Sequence, residues 1–235
     1  MGGHRQAFYD RAPVWVQNEL CTLWGRRLER ERYGPAFERW AAGWAERRAW
    51  SEERLREYQR DQLAGLLARA QAQVPYYADR WRAAGIAAGD FRELADLGRF
   101  PVTSKDDVFD AGERMLSAGA DRAALVTLTT GGTTGQPLRL WRTHEELQAH
   151  YAAFWDRMRP GVRRGERYAA FQGKEIVPAS QKRPPWWRDN RAAHQRLYSM
   201  RHLAPARIED YARDLAADGR AARATAAASV AGTSS

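Results

Sequence analysis

A run of glycines and threonines set between two strand-like segments constrains this chain more than any other feature. It reads TLTTGGTTGQPLRL, from Thr127 to Leu140. The residues before it, AALVTLTT, are rich in Val, Leu and Thr, and those after it, PLRLWRT, alternate through Leu138, Arg139 and Leu140 as a half-buried strand does. The unit is therefore strand, loop, strand. A Walker loop runs from strand into helix and carries a Gly-Lys-Ser/Thr signature. This segment has neither, which argues against a P-loop NTPase. Glycines at low cost turn successive backbone N–H groups into one concavity. Threonine hydroxyls add donors without adding charge. Thr129, Thr130, Gly131, Gly132, Thr133, Thr134 and Gly135 are thus candidates to hold nucleotide phosphates; the competing reading is an ordinary glycine-rich hairpin turn.

Periodicity organises the rest. Residues 11–48 read as helical, with Val16, Leu20, Leu23, Trp24 and Leu28 on one face. Such a stripe usually faces a core, so this helix is expected to pack on its own domain. The alternative is a basic amphipathic helix resting on a membrane surface. Ser51 is an N-cap followed by Glu52 and Glu53, and Leu55, Tyr58, Leu63, Leu66, Leu67, Ala70 and Val74 recur at helical spacing up to Pro75. A short helix closed by Gly85 follows. Thr103, with Asp106 three residues on, is expected to cap the next helix, and Thr143 with Glu146 one that reaches about Met158. The segment RYAAFQG reads as a strand, with Lys174 and Glu175 just past its end, where active sites of α/β proteins often sit.

Charge narrows the function. The net charge is +9, but nearly all of the positive charge is arginine interleaved with glutamate, as in RRLERER. Such runs are solvated helix faces, and no zinc-finger or RNP-type spacing accompanies them, so nucleic acid is not expected as a partner. The single cysteine, Cys21, fits a reducing cytoplasm and reads as core filler. The N-terminus has no apolar signal region, and no apolar run is long enough to span a bilayer.

The loop resembles the ATP-phosphate loop of adenylate-forming ligases, whose pattern is [ST]-[ST]-G-[ST]-T-G-x-P. Here Gly131 stands in place of a hydroxyl residue and Gln136 in place of a common lysine. Both departures resemble the phenylacetate–CoA ligase branch, above all its CapK-type members linked to capsular polysaccharide synthesis. The segments RYGPAFER, VPYYADRW, FPVTSKDDV, RYAAFQGKEIVP and PPWWRDNRAAHQRLYSMRHLAP resemble that branch in the same order, over roughly residues 10 to 215. The resemblance implies an α/β fold: a helical N-terminal region over residues 1–50, then an incomplete part of the large N-terminal domain of such a ligase over 51–215. It implies ATP with Mg²⁺, a small-molecule carboxylate as substrate, and CoA or another acceptor. His202 lies in YSMRHLAP, which resembles a segment near the acyl pocket, although a capping or surface histidine is the plainer reading; Lys174, at its strand end, is a candidate to meet a substrate anion, with an exposed surface lysine an equal reading. The family's adenine- and carboxylate-holding segment, ribose-binding aspartate and adenylating lysine do not appear. Residues 216–235, AADGRAARATAAASVAGTSS, read by composition as a disordered tail, of the kind that a shifted frame or early stop would leave. No catalytic residue and no protein metal site are assigned, and the chain alone is expected to be inactive in adenylation. The other reading of the whole is a non-catalytic membrane-peripheral or assembly protein of polysaccharide synthesis.

Overall fold

The structure, a computed structural model, describes residues 3–129, 137–158 and 162–217. It is a mixed α/β fold of eight helices and five short strands among these residues. The chain contacts divide it into two compact units. One holds 3–44, 144–158 and 162–217; the other holds 45–129 and 137–143. The N-terminal helices are therefore not set apart at residue 50 as the sequence led us to expect. They belong with strands more than 140 residues downstream, because the groups that hold them are polar and lie on both segments. Among the described residues no helix is long and apolar enough to cross a membrane.

In the second unit, local signals determine most element ends. Helix α4 (Glu52–Gln73) starts at Ser51, whose hydroxyl accepts from the Arg54 N–H at 3.3 Å. It stops because Val74, which precedes Pro75, is extended. The same proline opens α5 (Pro75–Ala83). That helix closes in a Schellman arrangement. Ile86 N–H donates to Trp81 O at 3.0 Å and Gly85 N–H to Arg82 O at 3.1 Å, which requires Gly85 at φ +66°. Leu67, Trp81, Ile86, Phe91 and Phe100 form the core between these helices.

The next helix, α6 (Lys105–Ala111), differs from expectation by one residue. Its cap is Ser104, not Thr103, and the reciprocal partner is Asp107, not Asp106: Asp107 N–H donates to Ser104 Oγ at 3.0 Å and Ser104 N–H to Asp107 Oδ2 at 2.8 Å. Thr-Ser followed by Asp-Asp offers both registers. Arg80 of α5, which reaches Asp107 at 2.9 Å, favours the later one. Strands β1 (Val126–Thr129) and β2 (Arg139–Arg142) then pair antiparallel, with Thr129 opposite Arg139. β1 is shorter than AALVTLTT because Asp121 caps a 3₁₀ turn over Arg122–Ala124. The expected inward alternation of β2 is not realised: Leu140 is exposed, and Trp141 and Arg142 are the half-buried residues.

The first unit is built on a three-stranded sheet in the order β3-β5-β4. β3 (Tyr168–Gln172) runs parallel to β5 (Gln195–Ser199), and β4 (Trp187–Asn190) runs antiparallel to β5. Helix α1 (Gly3–Arg11) leads to α2 (Val14–Arg32), and α3 (Pro35–Arg47) begins after the break at Gly34. α2 lies along β4, and the face it presents is not the expected apolar stripe. Gln17, Thr22 and Gly25 are buried, whereas Leu23 and Trp24 are exposed. The polar face wins because it meets specific partners. Asp189 N–H donates to Asn18 Oδ1 at 3.1 Å and Arg191 N–H to Thr22 Oγ1 at 3.2 Å. Gly25 lets the helix approach so closely that a Cβ there would stand 2.0 Å from Asn190 Oδ1. Helix α7 (His144–Met158) ends where the sequence placed it and sets Trp155 against Tyr168, with Val162, Ala170 and Leu197 beside them. Helix α8 (Ile208–Ala217) packs Tyr211 and Leu215 with Ala169, Trp186 and Tyr198. Ala216 and Ala217 are thus its last turn rather than the start of the expected disordered tail; residues 218–235 lie outside the described residues.

Candidate functional site

Thr129 ends β1 with its side chain exposed, and Pro137 precedes the facing strand. Thr130 to Gly135, the remainder of the candidate phosphate loop, lie outside the described residues. The flanks are nevertheless informative. The segment joins two adjacent antiparallel strand ends, and a strand follows it, not a helix, as the sequence indicated. The register adds a residue that sequence reasoning missed. Arg139 stands directly opposite Thr129, and directly opposed residues share a face of the ladder. It is exposed and makes no ion pair among the described residues. A guanidinium at the strand ends that flank an uncharged Thr/Gly sequence is of the charge that suits an anion. The period-2 pattern around Leu138 and Leu140 held the signal, but Arg139 there read only as a solvent-facing spacer.

Lys174 follows the C-terminal end of β3 and is exposed. Partial burial of its ammonium, and next the charge of Arg32, hold it below the ordinary lysine range. It makes no ion pair among the described residues, so it is a cation short of a counter-ion.

His202 is different. Only 3% of it is exposed, its Nδ1 lies 2.9 Å from Ser199 Oγ, and its ring stacks on Trp186 at 5.2 Å. Trp186 in turn donates its indole N–H to Asp210 at 2.9 Å. The expected surface position is corrected: the ring is buried in the first unit, where Trp186 of the PPWW segment supplies a flat partner. Burial, then the charges of Arg207 and Arg201, hold the imidazole below its ordinary range. Near about pH 6 the unfolded chain therefore binds a proton that the folded chain refuses, so stability falls with acidification. Thermal melts should show the transition dropping between about pH 7.5 and about pH 5.5. His202→Gln should remove most of that step; an unchanged step in the variant would assign it elsewhere.

Two further polar groups were not foreseen. Arg188 on β4 is 0% exposed and has neutral acceptors only: Gln17 Oε1, Gln181 Oε1 at 2.7 Å, Pro185 O at 3.0 Å and Trp187 O at 2.6 Å. Arg196 links Asp189 at 2.8 Å to Asp214 at 2.8 Å, tying α8 to the sheet. Both are structural. Cys21 lies 3.5 Å from the Tyr9 hydroxyl, and burial raises its thiol pKa, which unfits it as a nucleophile. Among the described residues no group of three or more His, Cys, Asp or Glu could hold a metal ion. An open recess of about 450 Å³, lined by Gln71, Ala78, Arg82, Gly85, Ile86, Ala87 and Asp90, contains none of the sequence-predicted residues.

Comparison with known proteins follows the same direction as the loop. No family model matches the chain. Protein CapK of Staphylococcus aureus is 21% identical over 209 residues, 88% of this chain and 44% of that protein. The phenylacetate-coenzyme A ligase of Escherichia coli is 33% identical over 97 residues, 41% of this chain and 22% of the ligase. That of Aromatoleum evansii is 34% identical over 98 residues, with the same coverages. A crystal structure of 2-hydroxyisobutyryl-CoA ligase, in complex with 2-HIB-AMP and CoA, has a TM-score of 0.49 at 18% identity, covering 73% of this chain and 37% of the ligase. The chain spans less than half the length of each of these proteins. CapK and the phenylacetate-coenzyme A ligases are its homologues.

Proposed function

We propose that this chain carries the phosphate-holding part of an adenylate-forming ligase that activates a small-molecule carboxylate with ATP. The observation that carries the reading is the antiparallel β1–β2 pair, which puts a threonine–glycine segment between two strand ends with Arg139 opposite Thr129. In this reading a carboxylate oxygen of the substrate attacks the α-phosphorus of ATP. The new P–O bond forms as the α–β phosphoanhydride bond breaks, and pyrophosphate leaves. Thr129, Thr130, Gly131, Gly132, Thr133, Thr134 and Gly135 hold the β- and γ-phosphates through hydroxyl and backbone N–H donors. Arg139 offsets their charge from the loop mouth. Mg²⁺, carried in on the nucleotide, supplies the remaining charge neutralisation. A thiol, typically that of coenzyme A, or another acceptor then attacks the acyl carbonyl and AMP departs. Lys174 is the cation we assign to meet an anionic substrate group in the first unit; His202, being buried, is left out. The single cysteine supports a cytoplasmic setting, and the CapK likeness a place in polysaccharide synthesis.

Competition binding tests this. A loop that grips the terminal phosphates should lose labelled Mg²⁺–ATP to pyrophosphate, whereas AMP, which has neither terminal phosphate, should compete at least about tenfold more weakly, a difference of about 1.4 kcal/mol. Equal competition by AMP would mean that the adenosine end, and not the loop, carries binding.

A further inference from the structure

The outward side of α2 is unlike an ordinary solvated helix face. Trp15 is 69% exposed, Leu23 55% and Trp24 44%; Leu23 lies opposite the buried Gln17, Thr22 and Gly25, and the two tryptophans flank that buried face on either side. Helix rotation of about 100° per residue spreads them over the free half of the cylinder together with Arg26, Arg27 and Arg30. Along the axis the apolar side chains come first and the guanidiniums follow.

The charge on this helix is lopsided for a specific reason. Each of its acidic side chains is already engaged: Glu19 with Arg191, Glu29 with Arg164 at 3.3 Å, and Glu31 with Arg27 at 2.7 Å. Arg26 and Arg30 are exposed and meet no carboxylate among the described residues; Arg30 Nε reaches only the Arg26 carbonyl, at 3.4 Å. Two uncompensated guanidiniums thus stand on the exposed half of the helix, between two indoles at its opposite edges. Indoles settle at the boundary between headgroup and acyl chain, and arginine stems cover apolar surface while their heads reach phosphate.

We propose that the exposed face of α2, formed by Trp15, Leu23, Trp24, Arg26 and Arg30, docks on an anionic phospholipid surface. The helix would lie in the plane of the interface, with the indoles at the headgroup level and the two arginines on lipid phosphates. A second copy of the chain fits less well, since it would bring Arg26 and Arg30 against their own likeness. This inference does not depend on the nucleotide reading.

The test is co-sedimentation of the full chain with phosphatidylcholine vesicles that contain or lack about 30% phosphatidylglycerol. Binding is expected only to the anionic vesicles, with release at high salt. Each arginine near such a surface contributes about fivefold, so Arg26→Gln with Arg30→Gln should weaken partition roughly 25-fold. Trp15→Ser with Trp24→Ser should weaken it by at least about tenfold. All four positions are half-buried at most or exposed, so circular dichroism should be unchanged in both variants. Equal binding to the two vesicle types, no binding to either, retention of full binding by both variants, or a lipid-free dimer lost in the tryptophan variant would each overturn the proposal.

Discussion

Replacing Gly132 and Gly135 by valine is expected to lower the affinity for Mg²⁺–ATP by roughly 100-fold while leaving the fold intact. A loop that wraps phosphate must turn several N–H groups inward, which draws on backbone conformations with positive φ. Glycine adopts these freely, whereas a β-branched residue resists them and also projects two methyl groups toward the ligand. Forcing one such residue into that region costs of order 1–3 kcal/mol, so two substitutions sum to roughly 3 kcal/mol, or about two decades in affinity. The flanking pair from Val126–Arg142 to Thr129–Arg139 lies outside the altered positions, so its pairing should survive. Isothermal titration of the double variant beside the unaltered chain would check this. An affinity within about threefold of the unaltered chain would make the segment a plain turn.

Arg188→Ala is expected to cost about 3–5 kcal/mol of stability, a large share of what a typical domain possesses. The guanidinium is fully enclosed and bridges Gln17 on α2, Gln181 between β3 and β4, and the carbonyls of Pro185 and Trp187. Alanine would leave those acceptors buried without donors, at about 1–3 kcal/mol for each that water cannot reach, and would open a void. It would also cut one link between α2 and β4, at Gln17, whose amide also holds the Tyr9 and Ala12 carbonyls, each at 2.9 Å. Arg188→Lys keeps the charge but loses the planar fork, and should restore only part of the loss. Urea denaturation of both variants measures this. An alanine variant within about 1 kcal/mol of the unaltered chain would show that neighbouring groups satisfy themselves without Arg188.

What could be read from the sequence was mostly what short-range chemistry decides. Ser51, Pro75 and Gly85 fix element ends by capping, a missing N–H and positive φ, and all act within a few residues. The strand at Tyr168–Gln172 and the strand–loop–strand order around the glycines were legible for the same reason. Choices made by distant partners were not. Ser104 was preferred to Thr103 by Arg80, which sits 27 residues from Asp107. The buried face of α2 was chosen by Asp189 and Arg191, about 170 residues away, against the helix's own apolar stripe. His202 looked like a surface or pocket histidine because nothing nearby in sequence announces that Trp186 will lie flat on it. At the candidate site, the residue types of the loop were plain from the sequence, but Arg139 became a candidate only once the strand register set it opposite Thr129.

The central claim is that the threonine–glycine segment holds the phosphates of a nucleotide. Amide hydrogen exchange of the chain with and without Mg²⁺–ATP tests it most directly, because bound phosphate must occupy the N–H groups of the segment itself. Slowed exchange in peptides spanning residues 129–139, with little change over residues 71–90 that border the open recess, is the expected result. Unchanged exchange over residues 129–139 at saturating nucleotide, or protection confined to the recess, would contradict it.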